Sequence, residues 1–304
     1  MTATAVFLIV SSAIFHAAWN YIGKRQKPSI AFFFVASIAA AIILSPLLLI
    51  YSQALPGIPA SVWILVLITG VAQAVYYSGL AGAYNRGDLS LAYPLARALP
   101  VLLIAAISMA AGKGSDIGKL SLLGIVLIAV GCVILPLPRF QQLHWRHYLS
   151  AVYLMVLVAA VGTASYTLID DEALRQLRQS EAITLNNTQV TLLFVALQTA
   201  STALMLGLAT YLHHPQRRHF NQLLRQRSLL ISAAVTGLVI VGTYGLVLAA
   251  MAYVTNVSYV AAFRQLSIPI GVFLGIMLQN EPTYKPKLVG VGIVVAGLIL
   301  VGIG

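Results

Sequence analysis

The chain has 304 residues, of which 60% are hydrophobic and only 8% are charged, and its mean hydropathy is +0.92. A soluble domain carries about 25% charged residues, so this composition excludes one. The net charge of +11 does not indicate nucleic-acid binding, because the basic residues are dispersed over short connections between apolar runs.

Apolar runs long enough to cross a bilayer recur along the whole chain. In chain order we place ten of them, at residues 5–22, 30–51, 61–84, 88–111, 118–137, 149–169, 188–212, 228–253, 255–278 and 284–303. The runs are continuously apolar and do not alternate, which favours helices over a β-barrel. Basic residues follow the first run and none precedes it, so we interpret it as a retained helix and not a cleaved signal.

Lysine and arginine are concentrated in alternate connections. Counted together with the basic residues in the first turns of the adjoining segments, twelve of the 18 lie in odd-numbered connections and four in even-numbered ones, so the positive-inside rule predicts both termini outside. All seven Asp and Glu are predicted to lie in connections, with Asp170–Glu172 forming an external loop. The seventh connection is predicted to be a solvated cytoplasmic loop that contains His213, His214, Arg217, Arg218, His219, Arg225 and Arg227.

Two halves of the chain repeat one pattern. Tyr77 precedes Arg97 by 20 residues, and Tyr244 precedes Arg264 by the same 20. Because five helices per half is an odd number, the halves insert with opposite orientations, as in many transporters. We therefore predict an all-α integral membrane protein with ten transmembrane helices, arranged as two inverted five-helix repeats at residues 1–140 and 145–304.

Glycines also recur in register between the halves. Gly124 and Gly131 of the fifth segment correspond to Gly290 and Gly297 of the tenth. Small residues one heptad apart allow helices to approach closely, so these four positions are predicted to serve packing and not chemistry.

Arg97 and Arg264 occupy matching positions deep inside apolar segments. Each begins about nine residues into its segment, or about 14 Å at ~1.5 Å per residue, near the middle of a ~30 Å hydrocarbon core. A cation at that depth costs ~2.5–3.5 kcal/mol and marks a functional site by default, although snorkelling to an interface is the alternative. The neighbouring Pro94, Pro100 and Pro269 can kink their helices and free carbonyls.

Polar side chains on the same helix faces complete a predicted substrate site. Tyr93 precedes Arg97 by one turn, and its hydroxyl can meet a substrate or hold the guanidinium. His16, Trp19 and Asn20 share one face of the first helix, and a polar face within lipid must meet protein or water. The predicted substrate-binding residues are Arg97, Arg264, Tyr93, Tyr77, Tyr244, His16, Trp19, Asn20, Gln73 and Tyr166.

These elements together resemble the EamA family of the drug/metabolite transporter superfamily. The resemblance rests on ten spans in two halves, HAAWN in the first helix, YPLAR entering the fourth, AFRQLS in the ninth and the exit at residues 279–282. It implies a central cavity lined by the first, third and fourth helices and their mates, and export of small metabolites such as amino acids. The chain departs from the family at Gly114 and Ser115, where relatives often carry an acid, and in the predicted outside position of its termini.

A predicted cavity with two cations and no carboxylate matches a carboxylate or phosphate ligand, because guanidinium binds both bidentately. We expect a secondary transporter that moves a small organic anion or zwitterion by alternating access, as an exporter or exchanger in the bacterial inner (plasma) membrane. A transporter of organic phosphates or phosphonates is the alternative. An integral membrane enzyme is a weaker one, since no HExxH, GxSxG or paired intramembrane Asp occurs. We expect no cofactor, metal or nucleic acid, and a monomer, with a dimer as the alternative.

Overall fold

All regular structure that the described residues contain is helical. The computed structural model describes residues 2–23, 28–86, 89–114, 117–135, 137, 139–142, 151–279 and 282–304. Within these ranges the helices are α1 Ala3–Gly23, α2 Ile30–Ile50, α3 Ala60–Arg86, α4 Leu89–Ser108, α5 Lys119–Ile134, α6 Ala151–Gln179, α7 Asn187–Leu212, α8 His214–Arg225, α9 Arg227–Ala250, α10 Val257–Phe263, α11 Ser267–Gln279 and α12 Lys285–Ile303.

Seven helical stretches of the described chain are long and apolar enough to cross a membrane. They cover residues 30–50, 60–83, 151–179, 187–212, 227–253, 257–274 and 285–303. Shorter apolar helices cover residues 3–16, 96–112 and 119–134. Each of the ten predicted segments overlaps one of these stretches. Long apolar helices in this number are typical of membrane spans and not of soluble proteins. The chain is therefore an integral membrane protein that crosses the bilayer several times.

The helices pack in pairs around one centre. α3 lies along α6 and α1 along α9, while α2 packs on α7 and α5 on α12. α4 contacts α6, and α11 contacts α1. The largest apolar cluster draws Ile9 from α1, Val66 from α3, Phe194 from α7 and Leu248 from α9. These apolar contacts fix the helices whose polar side chains meet in the centre.

α8 is a helix where the sequence predicted a solvated loop: its basic side chains are exposed, but the irregular backbone expected there was wrong. Pro215 occupies its first turn, where the missing N–H is no loss. Leu223 is buried in the cluster of α2, and the Phe220 ring lies 5.3 Å from that of Phe34. The helix carries charge on one face and apolar side chains on the other, so averaged hydropathy concealed it.

α6 also continues ten residues past its predicted end. Residues 173–179 are Ala, Leu, Arg and Gln, all strong helix formers. Arg175 and Glu172 form an ion pair of 2.6 Å on the exposed side, while Leu174 and Leu177 remain buried on the other. The predicted external loop at Asp170–Glu172 is therefore helical, because helix propensity and an apolar face persist beyond the point where hydropathy falls.

α5 and α12 meet backbone to backbone at the four matched glycines. A Cβ at Gly124 would lie 2.5 Å from the Gly297 carbonyl oxygen, and one at Gly131 would lie 2.7 Å from the Gly290 oxygen. The reverse distances, from Gly297 to Gly124 and from Gly290 to Gly131, are 2.6 and 2.9 Å. The predicted packing role of these glycines is confirmed, and we call this contact the α5–α12 seam.

Filling the seam should destabilise the protein. We expect Gly297→Val to reduce the free energy of unfolding by about 1–3 kcal/mol or more, since the clash is with backbone that cannot move aside. Gly292→Val on the same helix is the matched control, because a Cβ there meets nothing within 4 Å. Thermal denaturation in detergent micelles checks this: equal melting temperatures for the two variants would contradict the seam.

Candidate substrate site

Arg97 of α4 is bonded to both halves of the chain. Its Nη1 donates to Nε2 of His16 at 3.0 Å, and its Nη2 donates to the Arg264 carbonyl oxygen at 2.8 Å and to Ser267 Oγ at 2.6 Å. A guanidinium cannot accept, so Nε2 of His16 accepts with its lone pair and the ring proton sits on Nδ1. The buried Nε of Arg97 has no hydrogen-bond partner within the described residues, so one donor is available to another group.

The acceptor for Arg97 exists because the ninth predicted segment is interrupted. α10 ends at Phe263, a 3₁₀ turn covers Arg264–Leu266, and α11 begins at Ser267. Such a turn tightens the backbone to i→i+3 bonds, and Pro269 cannot supply an N–H to the preceding turn. The Arg264 oxygen also accepts from Ser267 Oγ at 3.0 Å. The interruption predicted beside Pro269 is present and supplies an interhelical acceptor.

Three tyrosines, which we call the tyrosine cluster, line the space beside Arg264. The Arg264 Cζ lies 5.4 Å from the centroid of the Tyr244 ring, and the Tyr166 side chain is a hydrogen-bond partner of its guanidinium. The Tyr166 ring meets Tyr244 edge-on at 5.3 Å and Tyr76 at 5.7 Å. An aromatic face attracts a cation by about 2 kcal/mol or more when water is excluded, so the cluster stabilises Arg264.

Asp170 lies fully buried beside the tyrosine cluster, with an exposed fraction of 0%. Thr69 Oγ1 donates to its Oδ1 at 2.5 Å, and Tyr244 Oη donates to its Oδ2 at 2.7 Å. Gln198 of α7 approaches the same carboxyl, and Arg264 is close enough to interact with it electrostatically. The prediction that every carboxylate lies in a connection was therefore wrong.

The buried carboxyl lies well inside the helix bundle. Thr69 is nine residues from the start of α3 and Asp170 nine from the end of α6. These two helix ends are adjacent, since Ser61 Oγ donates to Gln176 Oε1 at 2.7 Å. At about 1.5 Å per residue both side chains lie roughly 14 Å from those helix ends.

The structure brings several of the predicted residues together and separates others. Gathered at one centre are Arg97, Arg264, His16, Tyr166 and Tyr244. Tyr77 points elsewhere: its ring packs 4.6 Å from Phe33 of α2. Its neighbour Tyr76 joins the tyrosine cluster instead, because adjacent residues on a helix are turned about 100° apart.

The remaining predicted residues divide into two groups. Gln73 is buried, and its Nε2 has no hydrogen-bond partner within the described residues. The side chains of Trp19, Asn20 and Tyr93 lie outside the described residues. Within the described part of the chain, no group of three or more His, Cys, Asp or Glu could hold a metal ion.

Sequence reasoning missed Asp170, Tyr76, Thr69 and Ser267. A signal for Asp170 was present in the spacing: Thr163, Tyr166 and Asp170 recur at intervals of three and four. That spacing puts all three on one face of a helix, and the helix formers after Asp170 indicate that the helix continues. Thr69 carried no comparable signal, since a single threonine in an apolar run is common.

Comparison with known proteins finds a family match in the first half of the chain. A solved crystal structure has the same fold, with a TM-score of 0.70 over 99% of this chain and 96% of that one. Their sequences are only 14% identical, so the likeness concerns the fold alone. No curated protein matches the chain. Residues 3–136 match the model of the EamA-like transporter family, which lies within the drug/metabolite transporter superfamily.

Proposed function

We propose that this chain is a secondary transporter that moves a small organic anion or zwitterion by alternating access. One observation carries the proposal: two arginines from matching positions of the two halves meet inside the membrane. Arg97 bonds the carbonyl of Arg264, and both guanidiniums have polar or aromatic surroundings that a lipid-facing cation would lack. Intramembrane cations are costly and mark substrate sites by default.

Alternating access requires two halves that can exchange environments, and the packing supports an inverted pair at residues 1–140 and 145–304. At the α5–α12 seam, Gly124 meets the mate of Gly131, and Gly131 meets the mate of Gly124. A two-fold axis produces this exchange of partners. The other pairings have counterparts too: α3 on α6 corresponds to α9 on α1, and α3 on α7 to α9 on α2. Ten spans arranged in this way form the inverted-repeat plan of secondary transporters.

The charges of the site favour a singly charged carboxylate or a zwitterion. Arg97 and Arg264 carry two positive charges, and an ionised Asp170 reduces the excess to one. That excess matches one carboxylate better than a phosphate with up to two negative charges, so the organic phosphate alternative loses support. The tyrosine cluster offers flat surfaces for the organic part of the substrate.

The proposed topology, direction of transport, membrane and oligomeric state rest on the sequence alone. Positive-inside counting places the termini outside, and an exporter or exchanger in the bacterial inner membrane, working as a monomer, is the form we propose. An enzyme remains the competing class for the same buried polar groups.

Counterflow in proteoliposomes tests the proposal. With labelled amino acids and small organic acids as probes, we expect exchange of a carboxylate-bearing substrate and at least about tenfold weaker competition by its amide or methyl ester. Each charge-assisted hydrogen bond is worth about 1.5–3 kcal/mol, and 1.4 kcal/mol is a factor of ten in affinity. Arg175→Gln is the control for loss of an arginine, since Arg175 is exposed and paired with Glu172.

Three outcomes would contradict the proposal in different ways. Equal competition by the neutral analogue would remove the carboxylate from the recognition step. Preference for quaternary ammonium compounds would make the arginines structural. Chemical alteration of the probe would indicate an enzyme, and binding without exchange a receptor.

A further inference from the structure

We propose that Asp170 is a proton-binding site that couples transport to the proton gradient. The coupling rests on the transport function proposed above, whereas the proton-binding property does not. The sequence analysis placed every carboxylate in a connection, so it gave no carboxylate a role in coupling. The described structure places one inside the helix bundle, held by three other helices.

Hydroxyl groups of two other helices hold the Asp170 carboxyl. Both of its oxygens accept from them, Thr69 of α3 at 2.5 Å and Tyr244 of α9 at 2.7 Å. These donors favour the ionised form, while full burial favours the neutral form. A carboxyl subject to two large and opposed influences is suited to gain and lose a proton during a cycle.

A third group, the side-chain amide of Gln198 on α7, lies beside the carboxyl. Gln198 is 3% exposed, and its amide is close enough to Asp170 to stabilise the ionised form. A charged carboxylate holds such a donor more strongly than a neutral carboxyl does. The cluster therefore holds a group that the two protonation states would engage differently.

One cation and two hydroxyl groups make up the charged and titratable surroundings of Asp170. Arg264, at the α10–α11 junction, is the cation that faces it, and Tyr244 and Tyr166 are the titratable hydroxyls beside that cation. The neighbouring acids on α6 point away: Glu172 pairs with the exposed Arg175, and Asp171 is turned about 100° around the helix. Proton uptake by Asp170 thus changes the net charge around Arg264 by one.

A chain of contacts links this proton to the substrate arginine. Tyr244 touches both Asp170 and Arg264, and the Arg264 carbonyl holds Arg97, which in turn contacts His16. When Asp170 takes a proton from the compartment to which the cavity is open, one O–H bond forms and one oxygen becomes a donor. The Tyr244 hydroxyl then loses the charged carboxylate oxygen as its acceptor, or must rotate toward another acceptor. Release of the proton to the opposite compartment restores the first arrangement.

A proton fits this site better than a sodium ion. Sodium needs several oxygen lone pairs directed at one point, whereas the Thr69 and Tyr244 hydroxyls direct their hydrogens at the carboxylate. A metal cation would also lie near the Arg264 guanidinium, and like charges at low dielectric repel strongly.

Infrared spectroscopy of the full chain in lipid nanodiscs tests proton binding without any substrate. Above about pH 6, where exposed carboxyls are already ionised, we expect the carbonyl band of a protonated carboxyl to fade as the pH rises in the wild type and in Asp171→Asn, and to be absent in Asp170→Asn. Tyr244→Phe and Thr69→Val each remove a donor from the ionised form. Each should keep the band and move the midpoint of its pH titration upward. A band that persists unchanged in Asp170→Asn would overturn the proposal.

Transport driven by ion gradients tests the coupling. With a mixture of labelled amino acids as the probe, we expect a pH gradient to drive accumulation in wild-type and Asp171→Asn proteoliposomes, and Asp170→Asn to fall to the level without a gradient. Accumulation by Asp170→Asn, or accumulation driven by a sodium gradient at equal pH, would overturn the coupling. If no probe moves in the wild type, the transport function fails, and the infrared result still decides whether Asp170 binds a proton.

Discussion

Replacing Arg264 by glutamine should destabilise the protein, and adding Asp170→Asn should restore most of the loss. Arg264 is the cation facing the buried Asp170 carboxyl. Removing one member of a buried charge pair costs about 3–5 kcal/mol, because the other is left uncompensated. For Arg264→Gln at mildly alkaline pH we expect the free energy of unfolding to fall by an amount near the lower end of this range. Proton uptake by Asp170 removes its uncompensated charge and so relieves part of the cost.

The double variant distinguishes charge compensation from packing. If the two side chains interact, the loss in Arg264→Gln/Asp170→Asn should be smaller than the sum of the single losses by at least about 1 kcal/mol. Denaturant unfolding in mixed micelles provides the four free energies of this cycle. Strictly additive losses would mean that Arg264 stabilises the fold through Tyr244 and Tyr166 alone.

Replacing Arg97 by glutamine should weaken substrate binding by at least about tenfold. The Nε–H of Arg97 has no partner among the described residues, in addition to the bonds of this guanidinium with His16, Arg264 and Ser267. One charge-assisted bond to a carboxylate is worth about 1.5–3 kcal/mol, and 1.4 kcal/mol is a factor of ten. Arg97→Lys keeps the charge but loses the planar fork, so we expect partial function.

Replacing Arg97 and replacing Arg264 should change different kinetic parameters of transport. In counterflow, Arg97→Gln should raise the substrate concentration needed for half-maximal exchange. Arg264→Gln should mainly reduce the maximal rate, because Arg264 belongs to the helix junction and the tyrosine cluster. Arg175→Gln should match the wild type in both quantities. Equal losses of apparent affinity in both variants would contradict this division of roles.

The positions of the helices could be predicted from the sequence because membrane spans follow from local hydropathy alone. The repeat then predicted two relationships that cannot be read from hydropathy. The matched glycines pack against each other, and Arg97 and Arg264 meet although 167 residues separate them. Both predictions used the physical requirement that small residues or charges in lipid find partners.

The main failures came from treating charge as the end of a helix. Asp170 was assigned to a loop because the apolar run stops there, yet α6 continues for nine more residues. Averaging hydropathy along the chain also hid α8, because its apolar face is too short to raise the mean hydropathy of the segment. The sequence could not tell the roles of Tyr77 and Tyr76 apart. The two tyrosines are adjacent, and only packing shows that the Tyr77 ring lies against Phe33 of α2.

The α5–α12 seam also limits how the two halves can move. Its contact points are seven residues apart on each helix, or about 10 Å, and at both the backbones touch without intervening side chains. Two such points prevent one helix from sliding along the other, and the seam acts as a fulcrum. Gly112, with a φ of 79° and open space around it, lies between α4 and α5. Any movement of α4 that carries Arg97 relative to α11 would therefore have to bend the chain near Gly112 and leave the seam in place.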